Sequence, residues 1–397
     1  MKRRDFLRNS TLASTAMFTP NFLRSSAMAN ASRLASRSGK ILIVLQLSGG
    51  NDGLNTVIPF GDDLYYQNRP VLGIPRKEVL GLNDHQGLHP ALLPLRKLYD
   101  RGEMTIINSV GYPNPDRSHF RSMDIWQTGS PATESWSTGW IGRHLDTAAA
   151  GKPAYHALEV DDGLSLAMKG ATRTGFAMSR PDRLRQAVRN QRLHGLTADH
   201  TAGNPSLGYL YKTLTETTEA AGYLFEQSKV KKATADYPKG AFGRDLKQIA
   251  ELITADTATN IYYASLGGFD THVQQQNRQQ RLLAQYAQSV AALVEDLKAN
   301  NLFNDVLIMT FSEFGRRLKQ NASGGTDHGT ANNVFLMGGK LKTAGIFNNA
   351  PNLSTLDRGD IIHEIDFRRC YATLIDDWLE GDSVAVMGQK FASLGVV

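Results

Sequence analysis

Six side chains able to bind a hard cation fall in four glycine-rich turns. Asp52 lies in Ser48-Gly49-Gly50-Asn51-Asp52-Gly53, and Asp270 with His272 in Gly267-Gly268-Phe269-Asp270-Thr271-His272. Glu313 lies in Ser312-Glu313-Phe314-Gly315, and Asp327 with His328 in Gly324-Gly325-Thr326-Asp327-His328-Gly329. Carboxylates mixed with imidazoles suit Zn²⁺ or Mn²⁺, whereas carboxylates alone suit Mg²⁺ or Ca²⁺. Each turn also has an ordinary explanation. Asp-Gly is a common turn. Asp270 can cap the helix that follows it. Glu313 can pair with Arg316, and Asp327-His328 can be a surface loop. What sets them apart is placement, because each turn adjoins a strand of buried type. Groups at several strand ends can meet over one edge of a sheet, where open α/β sheets bind ligands.

A second candidate group is Asp116-Arg117-Ser118-His119-Phe120-Arg121. Asp116 or Ser118 can cap a helix that begins near His119. Ser118 can instead be a nucleophile, helped by the helix dipole and by an adjacent metal. Arg117, His119 and Arg121 stand close enough in sequence to help bind an anion, and Arg316 can join them.

The elements that must position these groups are legible as apolar runs. Ile41 to Leu47 is almost wholly apolar, as suits a strand buried on both faces. Met104 to Val110, Asn260 to Leu266, Asp305 to Phe311 and Asn333 to Met337 read likewise. Helical spacing runs from Leu88 to Tyr99 with Pro94 a kink point, and from His119 to Thr128-Gly129. Leu282, Leu283, Tyr286, Val290, Leu293, Val294 and Leu297 form one face of a long helix, and Phe367 to Leu379 is the last helix. This alternation predicts an α/β fold with a mostly parallel sheet. From Ser130 to about Ala241 the pattern loosens, with a basic helical stretch from Arg180 to Gly195, and reads as an insertion. The Ser48-Gly49-Gly50 turn lacks both the lysine of a P-loop and the GxGxxG spacing. A metal-binding Asp52, turned inward by flexible glycines, is therefore preferred over a phosphate cradle.

The first 29 residues read as an address. Lys2-Arg3-Arg4-Asp5-Phe6-Leu7-Arg8 has the twin-arginine pattern, an apolar stretch follows, and Ala27-Met28-Ala29 offers a cleavage site. Export to the periplasm or beyond is expected, with the translocase as a transient partner and 30–40 as a linker. That leader carries a net +4 of the formal +6, so the remaining chain is near +2 and gives no case for nucleic-acid binding. No apolar run is long enough for a transmembrane helix. The single cysteine, Cys370, excludes an internal disulfide and reads as a buried thiol.

The segments LSGGNDGLNTVIP, LHPAL, PDRSHF, DIWQTG, GGFDTH, TFSEFGR, GTDHGTANNVFLMGG and DFRRCYATLIDDWL resemble the bacterial exported family known as domain of unknown function 1501. The match runs from about residue 40 to the end, and that family is grouped with the alkaline phosphatase–sulfatase superfamily. The resemblance implies a three-layer α/β/α sandwich over 41–397, with a mostly parallel central sheet and a metal-dependent site at its carboxyl edge. It implies metal-ligand roles for Asp52, Asp270, His272 and His328. Glu313 falls where the superfamily has Asp-His, so Phe314 stands in a ligand's place. The superfamily nucleophile position falls on His119, one residue from Ser118. Ser118-His119-Phe120-Arg121 lacks the proline of a sulfatase signature. The expected activity is hydrolysis of a small phosphate or sulfate ester. The alternative is a non-catalytic binding or assembly protein with an exported partner.

Overall fold

The computed structural model describes residues 39–149, 151–188 and 217–397. The proposed leader and the stretch from 189 to 195 of the basic helical segment lie outside the described residues.

Nine strands build the central sheet: β1 (Ile41–Leu47), β2 (Met104–Gly111), β3 (Ala157–Glu159), β4 (Phe176–Ala177), β5 (Ile261–Leu266), β6 (Val306–Phe311), β7 (Asn332–Gly338), β8 (Gly345–Ile346) and β9 (Ile365–Asp366). Their order is β8-β2-β7-β6-β1-β5-β3-β4, with β9 also pairing β2. β1 lies parallel to β5 and β6 at the centre, and β7 alone runs against its neighbours β2 and β6.

Alternation along β1 explains the layers. Ile41, Ile43, Leu45 and Leu47 enter a core shared with Leu283, Tyr286, Val290 and Leu293 of the long helix. Leu42 and Val44 point into the opposite core, among Trp126, Trp140, Phe367 and Tyr371. Successive strand residues face opposite sides, so an uninterrupted apolar run requires a helix layer on each face. Those layers are α1 (Leu93–Asp100), α4 (Ala241–Thr254) and α5 (Gln275–Ala299) on one side. On the other side are α2 (His119–Thr128), α3 (Trp140–Ala148) and α6 (Phe367–Ala372). The result is the expected three-layer sandwich with a mostly parallel sheet.

Several boundaries differ from the sequence reading. Pro94 sits in the first turn of α1 rather than at a kink, where its missing N–H costs nothing. Asp270 does not cap α5, which starts at Gln275 after Gln274 in a left-handed conformation. Residues 130–188 do more than decorate the sheet, because they supply strands β3 and β4 and the covering helix α3. Cys370 is buried as expected, and burial pushes its thiol up to about 12. No described helix is long and apolar enough to cross a membrane.

Candidate metal centre

The carboxyl end of β1 opens into Gly49 and Gly50, both at positive φ. A Cβ on Gly49 would run into the Phe269–Asp270 backbone, and one on Gly50 into the Phe314 ring. The glycines are therefore needed for close approach. They let the β1 turn pack against the turns after β5 and β6, which carry Asp270 and Glu313.

Asp52 does not share the resulting cluster. Its carboxylate is buried against Arg69, with Nη1 of the arginine 2.6 Å from Oδ2, and both side chains are fully buried. Gln275 Nε2 also donates to Oδ2, and the Asn55 amide donates to Oδ1 at 3.3 Å. The inward turn expected of Asp52 occurs, but it leads to a guanidinium. Fully buried among these donors, the carboxylate has no open side on which to take up an ion.

Asp270 is the meeting point instead. Its Oδ1 lies 3.0 Å from His272 Nε2, 3.1 Å from His328 Nε2 and 3.6 Å from His119 Nε2. The Nε2 atoms of His272 and His328 are 3.0 Å apart. Ligand atoms of His119, Asp270 and His328 all lie within 4.8 Å of one another.

The opposite nitrogen of each ring shows which way the lone pairs point. His119 Nδ1 faces Glu313 Oε1 at 3.0 Å, His272 Nδ1 faces Asp327 Oδ1 at 3.3 Å, and His328 Nδ1 faces the Arg117 carbonyl at 2.8 Å. These oxygens are acceptors, as Asp270 Oδ1 is on the Nε2 side, so the place of the proton on each neutral ring depends on the tautomer, and the one that satisfies the outer oxygens carries it on Nδ1. Three Nε2 lone pairs then face one carboxylate oxygen. The close approach of His272 and His328 is thus a contact between two acceptors, which a shared cation relieves. His119 Nε2 is buried and has no hydrogen-bond partner. Ligands bonded to Zn²⁺ at about 2.0–2.1 Å stand about 3.3 Å apart in a tetrahedron. The separations around Asp270 bracket that value. Outward Nδ1–H bonds to oxygen are also how ligating histidines are ordinarily oriented.

The electrostatics follow. Burial raises the Asp270 pKa, but the bond from Arg316 and its positive charge hold the carboxyl well below the usual range. The bond to Glu313 raises the His119 pKa against the effect of burial. Burial lowers that of His328. The Asn321 amide holds Asp327 low. Asp270 remains 47% exposed and His272 41%, so the cluster has an open side.

The other expected site residues have different jobs. Glu313 is fully buried and accepts from the Gly49 amide at 2.8 Å as well as from His119, so it orients a ligand. Asp327 does the same for His272. Arg316 spreads its bonds over the carbonyls of Gly49, Gly50, Phe269 and Thr326 and over Asp270, at 2.7 Å. Arg117 pairs with Asp360, and Arg121 bonds the Ala132 and Glu134 carbonyls. Each of the three guanidiniums expected to clamp an anion thus bonds protein oxygens. Ser118 occupies the N-cap position of α2, exposed, and its hydroxyl does not cap the helix. His119, expected as an alternative nucleophile, points its Nε2 into the cluster. The signal for that role was its place at a helix start just after β2. The second-sphere partners Asn321, Gln275 and the Arg117 carbonyl had no signal in the sequence.

A family model described as "Protein of unknown function (DUF1501)" matches residues 103–376, well over half of the chain. The chain belongs to the DUF1501 family. No curated protein matches it. Similar solved structures include a sulfatase from Pseudoalteromonas sp., at 10% identity over 94% of this chain and 72% of that one, with a TM-score of 0.37. The C-terminal periplasmic domain of EcEptC from Escherichia coli, in complex with Zn, matches at 12% identity over 76% and 74%, with a TM-score of 0.36. The lipoteichoic acid synthase LtaP from Listeria monocytogenes matches at 11% over 82% and 74%, with a TM-score of 0.34. Likeness at this level carries no weight for the chemistry of this DUF1501 protein.

Proposed function

We propose that this DUF1501 protein is an exported, metal-dependent hydrolase of a phosphate or sulfate ester. The observation that carries the reading is the convergence of three imidazole Nε2 lone pairs on Asp270 Oδ1, with each Nδ1 tied to an oxygen. His119, His272, His328 and Asp270 would hold the ion. A donor set of three imidazoles and one carboxylate favours Zn²⁺ or Mn²⁺ over Mg²⁺ or Ca²⁺. Such an ion supplies Lewis-acid polarisation of the ester. Glu313, Asp327 and the Arg117 carbonyl keep the ligand rings oriented, and Arg316 keeps Asp270 ionised. Ser118 is the candidate nucleophile, since its hydroxyl is exposed beside His119 and is not spent on the helix. The open side of Asp270 and His272 leaves room for an anionic ester.

Metal analysis of the purified protein tests the reading. Bound Zn or Mn near one per chain, lost in Asp270→Ala, is the expected result. No metal on purification and none on titration would sink it. Commitment of Arg117, Arg121 and Arg316 to protein oxygens favours a second reading, a metal-holding exported protein without catalysis. A metal-loaded preparation that turns over neither aryl phosphates nor aryl sulfates would select it.

A further inference from the structure

A cavity of about 150 Å³ lies beside the cluster and is not used by it. Tyr112, Pro115, Phe314, Ala331, Ile361 and Ile362 give it mostly apolar walls. Its walls and the metal ligands come from the same segments. Pro115 and Asp116 lead into His119, and Thr330 and Ala331 follow His328. Phe314 is the shared partition, with its ring centroid 4.8 Å from the rings of both His119 and His328.

The volume and the charge of the lining restrict what fits. An engineered apolar cavity of about 150 Å³ binds benzene, so one six-membered ring is the right size. Asp116 and Asp357 line the cavity, and among its described lining residues there is no lysine or arginine. Burial lowers the His363 pKa, which disfavours its charged form. An anionic group is repelled there. The two ends of an ester are thus sorted, with the anion drawn to the Asp270 cluster and an uncharged apolar ring to the cavity.

We propose that this cavity is the subsite for the alcohol portion of the substrate, and that the substrate is an aryl ester. The inference rests on the metal-dependent hydrolase reading. It is tested with phenol as an uncharged probe of the metal-loaded full-length protein, by calorimetry or saturation-transfer NMR. Two variants accompany it. Ala331→Leu fills the cavity, and Ile362→Asp places a charge at its wall from a position that is 44% exposed and costs little in folding. Phenol binding in the wild type, weakened tenfold or more by both variants with metal content unchanged, is expected. Phenol that fails to bind, or binds wild type and variants equally, overturns the subsite. Failure of the hydrolase reading looks different. There phenol still binds and the variants still weaken it, but phenyl phosphate and phenyl sulfate are not turned over. Equal kcat/KM for phenyl and methyl esters would instead remove the subsite and leave the hydrolase standing.

Discussion

Asp52 and Asp270 begin from matching positions, each in the glycine turn after one of two adjacent parallel strands, β1 and β5. Asp52 turns under the sheet edge, where Arg69, Gln275 and Asn55 saturate it. Asp270 turns outward, where Arg316 donates to it at 2.7 Å and three imidazoles crowd the same oxygen. Each acid meets a buried guanidinium, so the difference lies in exposure. A fully buried acid saturated by donors is a strut, whereas a half-exposed acid ringed by imidazoles is half of a binding site that a cation completes. The two are mechanically linked. Gln275 donates to Asp52 and accepts from Thr271 and Thr326, which flank His272 and Asp327. The Asp52 strut therefore braces the loops that hold the ligands.

The largest expected effect breaks the Asp270 side. Asp270→Ala should lower Zn or Mn affinity beyond the roughly 10–100-fold that loss of an outer-shell partner costs. Metal content after dialysis checks this on folded protein, with Asp270→Asn as a companion that keeps an acceptor for the buried Arg316. Retained metal would show that the imidazoles suffice without it.

Asp52→Ala should do the reverse. It leaves Arg69 charged and buried without a counter-ion, which costs about 3–5 kcal/mol of stability. Urea unfolding reads the loss, and folded molecules should still take up metal. Asp52→Ala combined with Arg69→Met should recover part of it, since replacing both members of a buried pair is far less costly than removing one. A single variant as stable as the wild type would mean that Asp52 is not a strut.

Much of this contrast was beyond the sequence. The strands were legible because Ile41–Leu47 and its counterparts are apolar runs closed by glycine, a local pattern. So was α2, between Ser118 and Gly129. The fates of Asp52 and Asp270 were not legible, because both read as an acid in a glycine turn. Arg69 and the imidazoles become their partners only through tertiary packing. Strand β3 was hidden for another reason, since three residues are too few to show a period. His119 stood in view as a candidate nucleophile, but its orientation did not, because the oxygen that faces its ring comes from Glu313, far along the chain.

A third strand-end acid sharpens the rule. Glu159 closes β3, is buried, and accepts from the Ser165 amide at 2.7 Å, yet forms no ion pair among the described residues. Burial pushes it from 4.5 up to about 7. Burial without an ion-pair partner among the described residues favours its protonated form. The sign follows from linkage. Between about 4.5 and 7 the native state keeps a proton that the unfolded state has released, so stability falls as pH rises through that window and then levels. The ceiling on that loss is about 3 kcal/mol. Glu159→Gln should flatten the slope in urea-unfolding curves taken across this range. A slope that survives would place the proton elsewhere.

The smallest effect separates the two things Glu313 does for His119. It orients the ring, and its hydrogen bond is the largest cause of the raised His119 pKa. A raised pKa means that the proton competes with metal up to a higher pH, so loading of the wild type should improve as pH rises through it. Glu313→Gln keeps an oxygen that can face Nδ1 but removes the negative charge. Affinity at the high-pH plateau should fall by about 10–100-fold, the usual cost of losing such a support. The pH midpoint of loading should move down, because His119 sheds its proton more easily. Metal titrations across pH read both quantities from the same curves. A plateau that drops with no shift of midpoint would mean that Glu313 only orients His119. A midpoint that shifts with no drop would mean that it acts on His119 through charge alone.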